Sequence, residues 1–594
     1  MVQTLGNEGP PGRRTGLLVE GARAQAGTPG AGSILGWLVL ALALPLAAAL
    51  LSFPLRAPIG PMYWDVFTYY DAANRILSGQ VPAVDFFTPA GPLGYAIAAA
   101  WIAVFPNGQP SLLVHWSIMT VSVPLMALAL ASMPARSRSL GLWLVLPFLL
   151  FSLLPFNGKE FYPFPGSDAF GFYNRQVCLV LFPLVTGFMF VKHRGALIAL
   201  VTLSMLVLFF LKITGFLAAG LICAFALLAG RVRLRDAVVV AILFCAVLAV
   251  LELSMSIVSF YIQDVLVLAS MNSDTLVPRL FQSLSINFGV SAALGGLALV
   301  LLAGDNCELR EAVARIRSDK STASVAAMLD RPAFWIIAIT AAGVLFETQN
   351  TGSQAMIFVW PALLAVLVTL PAWVGRPRFA IAVATLAGAA YLPLMVESVE
   401  RGGRAYVGAV GNVPLEHENL KTLGAVSMRP AIMARSDVMM NIYSRDRAAF
   451  EDMAASGEMP VYILYSEFDF QISYLRAVDQ AITSIHAIEA GNGIRFNTIM
   501  SLNFTNPFPY LMDRHAPLYL TVGKDPFRAV PLPKSKEIAA VTEADLVLIP
   551  TCPVTRANLA LEKIYAAGLT KHHRIKLDQC FDALVHPKFG MLNR

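Results

Sequence analysis

Uncharged apolar runs long enough to cross a membrane recur through most of this chain, and nothing else about it restricts the fold as tightly. A hydrocarbon core about 30 Å thick takes ~20 apolar residues of helix, and Ile34 to Phe53 is the first such run. Only 14% of the 594 residues are charged, against about 25% in soluble domains. The fold class is therefore a polytopic α-helical membrane protein. Residues 1–33 are rich in Gly, Pro, Ala and Arg, lack apolar periodicity, and read as a disordered cytoplasmic tail. No small-residue cleavage site follows Phe53, so the first run is read as a retained span, not a signal peptide.

Charge placement gives an orientation, because Lys and Arg in short loops favour the cytoplasmic side. Arg13, Arg14 and Arg23 precede the first span, which puts the N-terminus inside and the first loop, residues 54–110, outside. The broken run Pro92 to Pro106 is placed as an interfacial or re-entrant helix, since a span there would move Arg136 and Arg138 outside. Further spans follow at 111–133, 140–156, 176–191, 196–211, 215–230, 237–257, 285–303, 332–346, 355–374 and 379–396. That makes about 11 in all, with the clear basic clusters inside.

The transmembrane domain thus covers residues 34–397, and residues 398–594 form an outer soluble domain of α/β or α+β type. Strands are expected at 461–466, 518–522 and 544–550, and a helix at 557–567. Cys552 and Cys580 are the only cysteines of this domain. In an oxidising compartment they point to a disulfide, with two independent buried thiols as the alternative. Neither Cys nor His spacing supports a metal site. No cofactor is expected, a divalent cation being the less favoured alternative. No basic tract is interleaved with aromatics, so nucleic acid is not an expected partner.

The chemistry-bearing stretch is Pro61 to Tyr95, directly after the first span. From Asp65 to Gly79, Val66, Tyr69, Tyr70, Ala73, Ile76 and Leu77 recur at helical spacing, with Thr68, Asp71, Asn74, Arg75 and Ser78 on the other side. This predicts an amphipathic helix lying at the membrane surface and ended by Ser78-Gly79. Asp65 at its start is either a catalytic acid or simply an N-cap. Asp71 and Arg75, four apart, are expected as a surface ion pair.

Asp65, Tyr69, Ala73, Leu77 and Gly79 spell D-x3-Y-x3-A-x3-L-x-G, followed by Pro82, Asp85, Phe86 and the run Pro89, Pro92, Leu93, Tyr95. This resembles the first outer loop of the GT-C glycosyltransferase superfamily, which includes the protein O-mannosyltransferases and the lipid A aminoarabinose transferases. The chain departs from many relatives in having Val66 after Asp65, and Thr88 and Ala90 where a Lys often stands. The resemblance implies a membrane enzyme, in a bacterial inner membrane, with its site and C-terminal domain on the outer side. It further implies an inverting transfer of a sugar from a polyprenyl-phosphate donor to a lipid, glycan or protein acceptor.

In that scheme Asp65 is the general base and Asp85 an alternative base or a second acid. The phosphate leaving group needs cations. Lys212 interrupts an apolar run, where an ionisable group is functional by default, although snorkelling at a span end is an equal alternative. Arg175 and Lys159 of the next outer loop are further candidates, and Tyr69 of the motif joins the binding group. The polar outer turn at 346–354 offers Glu347, Gln349, Asn350 and Gln354 for sugar hydroxyls or phosphate, unless it is an ordinary solvated loop. A transporter or flippase for an envelope lipid or glycan is the alternative function, although no internal repeat of the kind transporters show is visible.

Overall fold

The computed structural model describes residues 31–158, 166–319, 321–348, 354–373, 375–458, 467–590 and 592. Lys159, Gln349, Asn350, residues 1–30 and the strand expected at 461–466 lie outside these.

Apolar composition dictates the larger part of the molecule, a bundle of helices. In chain order these are α1 (Ala31–Leu51), α2 (Trp64–Leu77), α3 (Pro92–Val104), α4 (Pro110–Ser117), α5 (Met119–Ala131) and α6 (Gly141–Leu153). They continue with α7 (Phe172–Phe190), α8 (Arg194–Leu211), α9 (Ile213–Leu228), α10 (Leu234–Met255), α11 (Ile257–Met271) and α12 (Leu276–Ile286). The set closes with α13 (Phe288–Gly304), α14 (Asn306–Asp319), α15 (Thr322–Leu329), α16 (Pro332–Glu347), α17 (Trp360–Leu367) and α18 (Pro377–Gly408).

Among the described residues, five segments are by length and composition able to cross a membrane alone, and counting each of two bent pairs as one span raises this to seven. The architecture is that of a polytopic helical membrane protein. Each expected span falls on a helix, but not every helix fills its span. The continuous span expected at 355–374 is interrupted, because Met356 is left-handed and a 3-10 turn, Ile357–Val359, precedes an α17 of only 8 residues. At the centre of the bundle stands α7, buried at every position except Tyr173 and Met189. Beyond its polar first turn the helix is apolar on nearly all sides, and such a helix belongs in a core.

After α18 the chain changes character. A four-stranded sheet has the order β4 (Ile499–Ser501), β5 (Leu546–Pro550), β7 (Phe581–Val585), β6 (His573–Lys576), with only β4 and β5 parallel. The strand expected at 544–550 is β5, and the helix expected at 557–567 spans Arg556–Leu569. Cys552 and Cys580 form a disulfide. The glycosylation-type triplet Asn503-Phe504-Thr505 is buried at both polar positions.

The stretch 518–522 is not a strand. Tyr519 has φ +65°, and the segment follows the first loop instead, with Tyr519 N–H donating to Asp85 O and Val522 N–H to Phe87 O. A second junction is a small sheet in which β1 (Ala57–Pro58) pairs in parallel with β3 (Val426–Met428), and β2 (Val413–Pro414) closes the other side of β3.

This covering changes the environment of α2. The Asp71–Arg75 pair, expected on a surface, is 3.0 Å long with side chains 2% and 0% exposed. Arg75 Nη1 also donates to Pro517 O, Asn74 to Arg514 O and Gln80 to Ala516 O. The polar face of α2 therefore meets protein, not water, and α3 packs against the same helix. Buried beneath this junction, Lys524 has its ammonium pushed down to about 8 by loss of solvent, partly offset by Asp71.

Candidate active site

Asp65 sits in the first turn of α2, whose N-cap position is Tyr63, so the N-cap alternative does not hold. Its carboxylate reaches away from its own helix: Gly171 N–H donates to Asp65 Oδ2 at 3.0 Å. Gly171 is the residue before α7 and has φ +65°, a left-handed conformation that glycine adopts without strain. Asp65 keeps part of its surface open. Its surroundings are otherwise apolar and aromatic, and burial pushes the carboxyl up to about 7 against the opposing pull of the Gly171 N–H.

Tyr69, one turn along α2, packs its ring 4.9 Å from Tyr95, tilted, and 5.5 Å from Phe172 of α7, edge to face. Burial raises both tyrosine hydroxyls, with neighbouring tyrosines and then Asp65 adding to it.

Lys212 is the single extended residue between α8 and α9, at φ −167°. The break exists because the first loop presses there: Gly91 N–H donates to Leu211 O, and a Cβ on Gly91 would lie 2.1 Å from Phe210 O. No larger residue fits that approach. Lys212 Nζ donates to Asn174 Oδ1 at 2.5 Å and lies over the rings of Tyr173 (4.7 Å) and Phe346 (5.4 Å). Snorkelling is thus not its arrangement, since its head group is held by α7 and α16.

Arg175, the residue after Asn174 in α7, belongs to a different set. It is 3% exposed, and its guanidinium donates to Asn157 Oδ1 (2.6 Å) and Leu154 O (3.0 Å) and packs against His115. Gln354 Nε2 shares Asn157 Oδ1 at 2.8 Å, while Gln354 N–H donates to Glu347 Oε1 at 2.9 Å. Asn157 N–H donates to Asp168, and Arg401 bridges Asn157 O and the Asp168 carboxylate, the latter at 2.7 Å. Glu347 and Gln354, the described ends of the polar turn, are each 1% exposed and so are not solvated.

The structure brings Asp65, Tyr69, Arg175, Lys212, Glu347 and Gln354 around the first turn of α7. Asp85 stands outside that group, its Oδ2 accepting from Val81 N–H at 2.7 Å within its own turn. Sequence reasoning missed Gly171, Asn174, Asn157, Asp168, His115 and Arg401. The only signal was polar density between residues 157 and 175. Among the described residues, no group of three or more His, Cys, Asp or Glu side chains is placed to hold a metal ion.

No family model matches the chain, and no curated protein matches it. Among solved structures it is similar to ArnT from Cupriavidus metallidurans in the apo state, at 13% identity over 93% of this chain and 98% of that one, with a TM-score of 0.38. Against the same protein bound to undecaprenyl phosphate the identity is 13%, over 92% and 98%, with a TM-score of 0.40. The oligosaccharyltransferase of Archaeoglobus fulgidus in the apo form follows at 12%, over 90% and 73%, with a TM-score of 0.25. At such identities and scores the likeness carries no argument, and the chemistry has to be argued from the site.

Proposed function

We propose that the chain is an integral-membrane glycosyltransferase that moves a sugar from a polyprenyl-phosphate donor to an acceptor hydroxyl, with inversion, on the outer face of the membrane. The observation that carries this reading is the pairing of a carboxylate and an ammonium on one helix turn. Asp65 is held by Gly171, and Lys212 by Asn174, three residues along.

The acceptor oxygen attacks the anomeric carbon, its proton passes to the Asp65 carboxylate, and the bond from that carbon to the phosphate oxygen breaks with its electron pair going to the phosphate. A carboxyl with its pKa near 7 suits the base role, because about half of it is ionised at neutral pH and that form is a stronger base than an ordinary carboxylate. The phosphate gains one negative charge as it leaves, and Lys212 supplies the compensating cation. Tyr69 and Tyr95, both buried, pack behind the carboxylate and support its position. Arg175, Glu347 and Gln354 serve by fixing the α7 turn, not by touching substrate.

The test is transfer of labelled sugar from a polyprenyl-phosphate donor by membranes containing the chain. Undecaprenyl phosphate, present in one of the ArnT structures, names the lipid class to try first. Asp65→Asn lowers transfer by roughly 10²–10⁴-fold on this reading. Transfer unchanged by the substitution removes Asp65 as base, and uptake into sealed vesicles without any transfer favours a transporter.

A further inference from the structure

Helix α11 buries a single face, and that face carries a charge. Val258, Tyr261 and Asp264 are its buried positions, and their spacing of three puts them on one side of the helix. Val258 and Tyr261 join a hydrophobic cluster apart from the main core, with Phe209 and Phe210 at the end of α8 and Ala83 of the first loop, and Leu93 and Ile213 pack on it. The Tyr261 ring lies 5.4 Å from that of Phe209 and 6.1 Å from that of Phe210. Asp264, the third position, is 8% exposed. An apolar side chain would complete such a face, whereas a buried carboxylate gives up its water at a cost.

That carboxylate is turned to the first loop, where Thr88 N–H donates to Asp264 Oδ2 at 3.5 Å. Three residues on, Gly91 N–H donates to Leu211 O at 3.0 Å, in the same close approach that accompanies the break at Lys212. Pro89 stands between the two bonds. Its ring fixes φ and restricts Thr88 before it, so a hold at Thr88 carries to Gly91. One face of α11 thus touches both parties to the approach: Tyr261 covers Phe209 and Phe210, and Asp264 holds the 88–91 run.

We infer that Asp264 is a positioning residue that acts through Lys212: α11 clasps the first loop against the α8–α9 break and so fixes where the ammonium points. This rests on the glycosyltransferase reading and adds to it a residue that touches neither donor nor acceptor. A cation serves the phosphate only where the charge lies, so a small displacement of Lys212 weakens its effect.

The experiment uses the purified full chain in nanodiscs with two lipids, undecaprenyl phosphate and the uncharged undecaprenol. Wild type is expected to bind the phosphate more tightly. Lys212→Met lowers phosphate affinity roughly 10- to 100-fold, the loss of one charge-assisted hydrogen bond. Asp264→Leu lowers it by part of that, roughly 3- to 10-fold, and leaves undecaprenol affinity unchanged. Asp264→Asn, which keeps an acceptor for Thr88 N–H, recovers most of the loss. In the Lys212→Met background Asp264→Leu adds no further loss, because its effect runs through the ammonium. The Gly91 amide exchanges its hydrogen faster in Asp264→Leu than in wild type, while the unfolding midpoint stays at or above that of wild type, an apolar side chain having replaced a buried carboxylate.

A wild type that does not distinguish the two lipids overturns the donor reading and the role of Asp264 with it. If wild type distinguishes them, this inference alone falls on any of three results: Asp264→Leu binds the phosphate as wild type does, its effect persists in full beside Lys212→Met, or the Gly91 amide is unchanged. A lowered midpoint with equal weakening toward both lipids, or a loss that Asp264→Asn does not recover, assigns Asp264 a packing role and also overturns it.

Discussion

Two sets of polar side chains meet the first turn of α7, and they differ in how fully their hydrogen-bonding capacity is used. On one side Arg175, Asn157, Gln354, Asp168 and Arg401 satisfy one another in a closed, buried network. On the other, Asp65 is partly open, Asn174 keeps an unused donor, and Lys212 makes one hydrogen bond where an ammonium can make three. A saturated network fixes position, whereas an unsaturated one waits for a ligand. The two sets share a helix turn, so the first can hold the second without taking part in chemistry.

The largest effect that tests this contrast is on stability. Arg401 and Asp168 are each 4% exposed and 2.7 Å apart. Removing one partner leaves a buried, unpaired charge, which costs about 3–5 kcal/mol. Arg401→Met should therefore lower the unfolding midpoint sharply, and Arg401→Met with Asp168→Leu should recover much of the loss. If Arg401→Met is as stable as wild type but loses transfer activity, the closed network is part of the site and the contrast breaks.

Lys212→Met probes the other set. It deletes a cation with one hydrogen bond and keeps the aliphatic stem over Tyr173 and Phe346. Transfer should fall roughly 10²–10³-fold, the scale of losing one electrostatic stabiliser of the developing charge. The unfolding midpoint should stay near that of wild type. A large loss of stability with little change in the rate of the remaining folded enzyme would return Lys212 to a structural role.

How far these two sets can be read in the sequence follows from where their residues lie. Asp65 and Tyr69 fall inside one short periodic motif, and Lys212 is a charge inside an apolar run. Both stand out against a local background. The closed network draws on Asn157, Asp168, Arg175, Gln354 and Arg401, spread over separate segments that only tertiary packing joins. Nothing local marks such a set.

The surface placement expected for α2 failed for a related reason. Thr68, Asp71, Asn74 and Arg75 have the polarity of a wet face, and period alone does not say whether water or protein covers it. Here the segment 514–524 does, through Arg514 O, Pro517 O and the Lys524 side of the sheet. The stretch 518–522 has the composition of a strand, yet its backbone donors go to Asp85 and Phe87 of the first loop. Tertiary partners override strand propensity in such cases.

Ionisation separates the sets on a finer scale. Burial holds the Asp65 carboxyl at about 7. A general base works ionised, so activity is present above that value and falls as pH drops through it, by about tenfold for each further unit. The acid limb of kcat/KM should therefore lie near pH 7, and the residual activity of Asp65→Asn should lack it. A limb unchanged in Asp65→Asn would assign the titration to another group and leave Asp65 without a base role.

The smallest expected effect sharpens what burial contributes. Lys421 and Asp513 also form a short ion pair, at 2.6 Å, but their side chains are 36% and 82% exposed. By distance alone this pair and Arg401–Asp168 are equivalent. Water screens the exposed pair and solvates either partner when the other is removed, so such pairs contribute under about 1 kcal/mol. Asp513 has φ +53°, which Asn tolerates better than most residues, so Asp513→Asn removes the charge with little backbone penalty. Its unfolding midpoint should be close to wild type and insensitive to salt. A loss comparable to that of Arg401→Met would mean that contact distance, not burial, ranks the ion pairs of this molecule, and the distinction between the two sets around α7 would lose its physical basis.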